Sequence, residues 1–261
     1  MKLAVRESMV PGATLEEKLS CLKRCGYDGI ELTNAETMKR HDLVPVVHQS
    51  GLGVSTLAGI TTLLDPDPKV RAGAVDLLKS WLEVTAALNG VGVIVVPIFG
   101  RPVLPDLSPY KTPVELETEL LLAELKAIAP FVEKVGSTVI IEPLNRYETH
   151  FVNRLEQGVT LCEAVGSPVV RIMADFFHMH IEEADIPTSI RAAGQQIVYV
   201  HVADSNRVQP GRGHLDLRPG FAALKAVGYD GYFGIECGLV GDPEEALKQA
   251  AANTRQAWAE A

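Results

Sequence analysis

The feature that most constrains this fold is an alternation. Eight short apolar, largely β-branched runs, "KLAVR" (2–6), "DGIEL" (28–32), "GVSTLA" (53–58), "VGVIVVP" (91–97), "STVIIE" (137–142), "VVRIMAD" (169–175), "IVYVHVA" (197–203) and "YFGIE" (232–236), are separated by longer amphipathic stretches. Strands of a parallel sheet are covered on both faces and so read as nearly continuous apolar runs. Each crossover between them needs a helix-sized connection. Eight such units in 261 residues predict an α/β fold, a (β/α)8 TIM barrel forming one domain over residues 1–261. A doubly wound open sheet is the competitor, but no glycine-rich dinucleotide loop follows "KLAVR".

The connecting stretches carry their own punctuation. Thr14 and Glu17 have the spacing of a capping box. Gly26, Gly90, Gly136, Gly166, Gly194 and Gly228 each follow an amphipathic run, where a left-handed residue ends a helix. Pro45 falls inside "ETMKRHDLVPVVHQSG" and predicts a kink or break there. Cys21 and Cys25 share one helix face at i, i+4, and with Cys162 and Cys237 they make no disulfide framework for a chain of this size.

Charge and hydropathy narrow the function. A formal charge of -9 argues against a nucleic-acid partner, which needs clustered Lys and Arg. The longest apolar stretch, "GVGVIVVPIFG", is too short to span a bilayer, and Arg6 and Glu7 break the start of the chain as a secretory signal. The expectation is a soluble, cytoplasmic protein without a membrane partner.

In a (β/α)8 barrel, catalytic groups sit at the C-terminal ends of the strands. Glu142 ends the fifth run, Asp175 the sixth and Glu236 the eighth, while His201 lies near the end of the seventh. Each has a plain structural reading, Asp175 as the N-cap of a helix and His201 as a satisfied core histidine. Together, three carboxylates at one mouth would repel without a cation between them. Oxygen-rich ligation with one histidine suits Mn2+, Mg2+ or Co2+ better than a structural zinc. Further polar residues follow these ends: Arg146 and Glu148, then His178, then Asp204 to Arg207, then His214 and Asp216 in "PGRGHLD". By position, His178 and Arg207 are candidates to meet a substrate resting at such a centre.

The motifs "IEPLNRYET", "ADFFHMHIEE", "HVADSNR" and "PGRGHLD" resemble those of the ketose 3-epimerases, the D-tagatose/D-allulose (D-psicose) group of the xylose-isomerase-like barrel superfamily. They fall in about the last half of the chain, whereas "GYDGIEL" near the start is shared across the wider superfamily. The resemblance implies one divalent ion, manganese in the first place and cobalt or magnesium as alternatives, held by Glu142, Asp175, His201 and Glu236. It also implies that Glu148, His178 and Arg207 hydrogen-bond the reacting end of an open-chain ketose, and that the protein is a homodimer or homotetramer. His180 departs from the pattern, where the family has asparagine. The loops "RESMVPG" and "AGITTLL" differ among members, so the particular ketose is not carried over.

The implied reaction is epimerisation of a free ketose at C3 through a cis-enediolate, with Glu142 and Glu236 as opposing acid and base. Its rivals are an aldose–ketose, hydroxypyruvate or inosose-type isomerase on the same barrel, an endonuclease IV-like repair enzyme, and a sugar sensor without turnover. Arg212 in "PGRGH" reads as exposed rather than as a phosphate ligand, and the loop over 97–113 reads as a lid or an oligomer contact.

Overall fold

The computed structural model describes residues 1–261. Eight strands, β1 (Lys2–Arg6), β2 (Gly29–Leu32), β3 (Gly53–Ile60), β4 (Gly92–Val95), β5 (Val139–Ile141), β6 (Val170–Asp175), β7 (Ile197–Val202) and β8 (Tyr232–Ile235), close into a barrel in chain order. Every pairing is parallel, including β8 back to β1. The (β/α)8 architecture expected from the alternation is therefore the one adopted. No helix is long and apolar enough to cross a membrane.

The helices are α1 (Leu15–Arg24), α2 (Ala35–Met38), α3 (Leu43–Ser50), α4 (Pro68–Ala87), α5 (Pro113–Val135), α6 (Leu155–Val165), α7 (Phe176–Glu182), α8 (Ile186–Ala193), α9 (Arg218–Ala226) and α10 (Pro243–Glu260). Thr14 and Glu17 form the expected reciprocal cap of α1. Three details differ from expectation. The second helical stretch does break, but before Pro45, which sits in the first turn of α3, where its missing N–H forfeits no intrahelical bond. The left-handed residue after α4 is Asn89 (φ 54°) rather than Gly90, whose hydrogen is needed because a Cβ there would lie 2.8 Å from Thr85 Cγ2. The short α7 starts immediately after β6, in a segment whose apolar pattern gave no helix.

A large apolar cluster fills the layer between barrel and helices, while a smaller one plugs the barrel itself: Ala58, Ile94, Ile140, Met173 and Tyr199. Tyr199 reaches across this floor, its hydroxyl 3.0 Å from Ser55 Oγ. It can do so because β8 carries Gly234 beneath it; a Cβ there would fall 2.3 Å from the tyrosine oxygen. Side chains of a strand alternate between faces, so the residue two further on points the same way. Glu142, Asp175 and His201 stand two beyond Ile140, Met173 and Tyr199. Arg6, Glu31 and Glu236 stand two beyond Ala4, Gly29 and Gly234. The apolar floor thus carries a ring of charged groups at the C-terminal mouth.

Candidate metal centre

β5 and β8 end one residue short of Glu142 and Glu236, yet both residues prolong the ladder, their N–H groups donating to Val95 O and Val202 O. That backbone bonding aims the two carboxylates inward beside Asp175 and His201. One ligand-type atom from each of the four residues lies within 4.8 Å of all the others. Bond lengths of about 2.0–2.6 Å to a divalent ion put ligands on its opposite sides roughly 4–5 Å apart, so the four atoms are spaced to share one ion. His201 Nδ1 is 3.0 Å from Glu236 Oε2, 3.3 Å from Glu142 Oε1 and 3.6 Å from Asp175 Oδ2. Three carboxylate oxygens with one imidazole nitrogen form a donor set that fits a hard or borderline divalent cation.

Asp175 combines both roles open to it. Oδ1 caps α7, accepting from the N–H groups of Phe177 at 2.7 Å and His178 at 3.3 Å, while Oδ2 faces the cluster. Burial alone would raise its pKa, but the Arg207 guanidinium and the His178 and His201 rings hold the carboxyl well below its usual range. Burial likewise opposes charge on His201. The surrounding carboxylates, Glu31 first, outweigh it and hold the imidazole well above its ordinary value.

The remaining candidates converge on the same place. Glu142, Glu148, His178, Arg207 and Glu236 line one cavity together with Arg6, and Ile60, Val96, Phe99 and Leu144 form its apolar wall. Arg207 donates to Asp175 Oδ2 at 2.8 Å and to Glu236 Oε2 at 2.5 Å, and its guanidinium lies 4.7 Å from the Phe177 ring centre. Its backbone is left-handed (φ 56°), which is costly for a side chain this size and is held by the turn built around Asp204. That carboxylate accepts from the N–H groups of Ser205, Gly211 and Leu215.

His178 is buried, and the backbone N–H of Asn145 donates to its Nδ1 at 3.2 Å. An N–H can only donate, so in the neutral ring the proton sits on Nε2, the nitrogen 3.7 Å from Asp175 Oδ2. The Asn145 side chain also donates to Glu148 Oε1 at 2.8 Å, joining the two residues. The loop after β4 is tied to this segment. Gly100 N–H donates to Glu148 O, His150 N–H donates to Gly100 O, and the His150 ring bridges Gly100 O and the fully buried Glu117 of α5.

Other polar residues of the motifs point elsewhere. Arg146 pairs with Glu182, His180 is exposed and stacks edge-on against His214, Arg212 bonds Gln249, and Asp216 pairs with Arg218. Cys21 and Cys25 are buried near Glu244 and are not members of the cluster. Sequence reasoning missed Arg6, Glu31 and Asn145. Arg6 pairs with Glu236, and Glu31 takes His201 Nε2 at 2.7 Å. For Glu31 a signal existed: a carboxylate interrupting the apolar "GIEL" at the inward-facing parity. Asn145 shows none, because its role depends on a loop returning to α7.

Residues 19–257 match the family described as Xylose isomerase-like TIM barrel. A 3-dehydro-D-guloside 4-epimerase from Escherichia coli is 27% identical over 258 residues, 97% of this chain and 98% of that protein. An L-ribulose 3-epimerase from Mesorhizobium japonicum is 30% identical over 251 residues, 94% of this chain and 83% of its own length. The apo crystal structure of the 3-keto-D-glucoside 4-epimerase from E. coli matches with a TM-score of 0.89 at 27% identity, covering 98% of this chain and 99% of that one. These relatives are epimerases, enzymes of the isomerase class.

Proposed function

The chain belongs to the xylose isomerase-like TIM-barrel family, and from that premise we propose that it is a metal-dependent sugar epimerase inverting a hydroxyl-bearing carbon next to a ketone, in the first reading C3 of a free ketose. The observation that carries this reading is the convergence of Glu142, Asp175, His201 and Glu236, with two glutamates in one ligand-type set.

A hydrogen on such a carbon is too weakly acidic for an unaided carboxylate at neutral pH. Glu142, Asp175, His201 and Glu236 would hold a divalent ion, manganese in the first place, which would supply positive charge to offset the negative charge that deprotonation creates. The chain's own groups do the rest. One glutamate of the Glu142/Glu236 pair takes the C3 proton from one face of the substrate and the other returns a proton from the opposite face. His178 offers its Nε2 proton to a substrate oxygen, Arg207 holds the oxygens on the Glu236 side, and Glu148, fixed by Asn145, accepts from a hydroxyl. The wall of Ile60, Val96 and Phe99 limits water at the reacting carbon. Unphosphorylated sugars are the substrates on this reading: the cavity lining holds no lysine, and its two arginines, Arg6 and Arg207, sit against the carboxylates at the reacting end.

A second reading has specific support. The E. coli guloside 4-epimerase aligns end to end, over 98% of its length, against 83% for the ribulose 3-epimerase. Its substrate places the inverted C4 beside a C3 ketone, which is the same chemistry one carbon along. The test is exchange in D2O with Mn2+-loaded protein, followed by NMR. D-fructose, D-tagatose and L-ribulose form one panel and a 3-keto-glucoside the other. Deuterium at C3 with a C3 epimer supports the first reading, and deuterium at C4 of the keto-glucoside supports the second. Label only at C1 or C2 with an aldose product would make the reaction aldose–ketose isomerisation, and no exchange despite bound metal would overturn both readings.

A further inference from the structure

Of the buried ionisable groups at the mouth, Glu31 is used neither by the proposed acid–base pair nor by the ligand set. It lies in "GYDGIEL" on β2 and is 0% exposed. No lysine or arginine hydrogen-bonds it: Arg6 Nε stands 3.7 Å from Oε1, which has no hydrogen-bond partner at all. Oε2 instead takes His201 Nε2 at 2.7 Å and Thr56 Oγ1 at 3.2 Å. A carboxylate buried in this way is costly to desolvate.

Sheet register does not explain it either. β2 and β7 are separated in the barrel by β8 and β1, so the Glu31–His201 bond crosses the interior rather than joining neighbours. Its effect falls on the imidazole. A carboxylate only accepts, so Nε2 is the protonated nitrogen while that bond is made. A neutral ring then carries its lone pair on Nδ1, the nitrogen facing Glu142, Asp175 and Glu236. Tyr199, edge-on with ring centroids 5.3 Å apart, limits how the ring can tilt.

We propose that Glu31 is a positioning residue for the metal centre, holding His201 as the Nε2–H tautomer so that Nδ1 is the ligand atom. This rests on the reading of the four-residue cluster as a divalent-cation site. The test is Mn2+ binding to chelator-treated wild type, Glu31→Leu and Glu31→Gln. Binding is measured by isothermal titration and by the paramagnetic-resonance signal of free Mn2+, and each metal-free protein is melted in parallel. The dissociation constant is expected to rise about 10–100-fold in Glu31→Leu, and about tenfold in Glu31→Gln, whose amide oxygen still accepts from Nε2 without the charge. A wild-type dissociation constant in Glu31→Leu, or in Glu31→Gln if the leucine variant does not fold, overturns the proposal. So does a lowered metal-free melting temperature with unchanged binding, the result of a merely structural role. Failure of the wild type itself to bind Mn2+, Co2+ or Mg2+ is a separate result, which removes the metal reading and this inference with it.

Discussion

The two halves of the barrel mouth present different chemistry from equivalent positions. β5 to β8 offer Glu142, Asp175, His201 and Glu236, all ligand-type groups within 4.8 Å of one another. β1 to β4 offer Arg6, Glu31, Ile60 and Val96: two charged groups bonded to members of the cluster, and two apolar wall residues. The four ligand-type groups come from four consecutive strands, so an ion bound among them would lie to one side of the mouth. Orientation can come from across the barrel, and here it does, through Glu31 on His201. On the proposed reading, one half holds the groups that react, and the other sets their geometry and their access to water.

The sharpest way to break that division is to remove the ion. Chelation should take turnover to background and Mn2+ should restore it; at free Mn2+ of 100 times its dissociation constant, the ion should add about 2.7 kcal/mol to stability, read as a higher melting temperature. Next, Glu142→Gln and Glu236→Gln should each lower deuterium exchange by about a thousandfold while leaving the circular dichroism spectrum unchanged. An equal loss from Val96→Ala would erase the distinction between the halves.

A smaller effect is expected across the ring. Glu117→Gln, which breaks the buried contact to His150, should cost about 1.5–3 kcal/mol in urea unfolding and raise KM more than it lowers kcat, because it loosens the wall beside Glu148. The smallest effect concerns pH. Burial opposes charge on Asp204, but backbone N–H groups of the Arg207 loop outweigh it and hold the carboxyl below its ordinary value. A depressed folded-state pKa adds stability above the unfolded value of about 3.9 and loses it as pH falls through the folded value. Between pH 6 and pH 3 the urea midpoint of the wild type should therefore fall further than that of Asp204→Asn.

The barrel and most of its ring were legible in the sequence because both follow from short-range patterns. β1 begins and ends where its apolar run does, and Glu142, Asp175 and Glu236 stand out as carboxylates closing such runs. Glu31 was harder to see, since it sits within a run rather than at its end. Only the period of two, applied from a floor position such as Gly29, shows that it points inward. α7 was signalled only through Asp175 as an N-cap, because "FFHMHIE" is too short to display an apolar period. The His150–Glu117 contact joins residues 33 apart through a loop with no repeating pattern, so nothing local announces it.

The divided carboxylate of Asp175 has a consequence for how this protein can change over evolutionary time. One oxygen starts a helix that carries His178, and the other belongs to the cluster. A lineage that lengthened this side chain by one methylene would displace a backbone turn and a member of the cluster in the same step, and one that shortened or neutralised it would forfeit both. Few single substitutions can therefore be neutral there, and drift is channelled to the neighbouring loops, where a change alters one thing at a time.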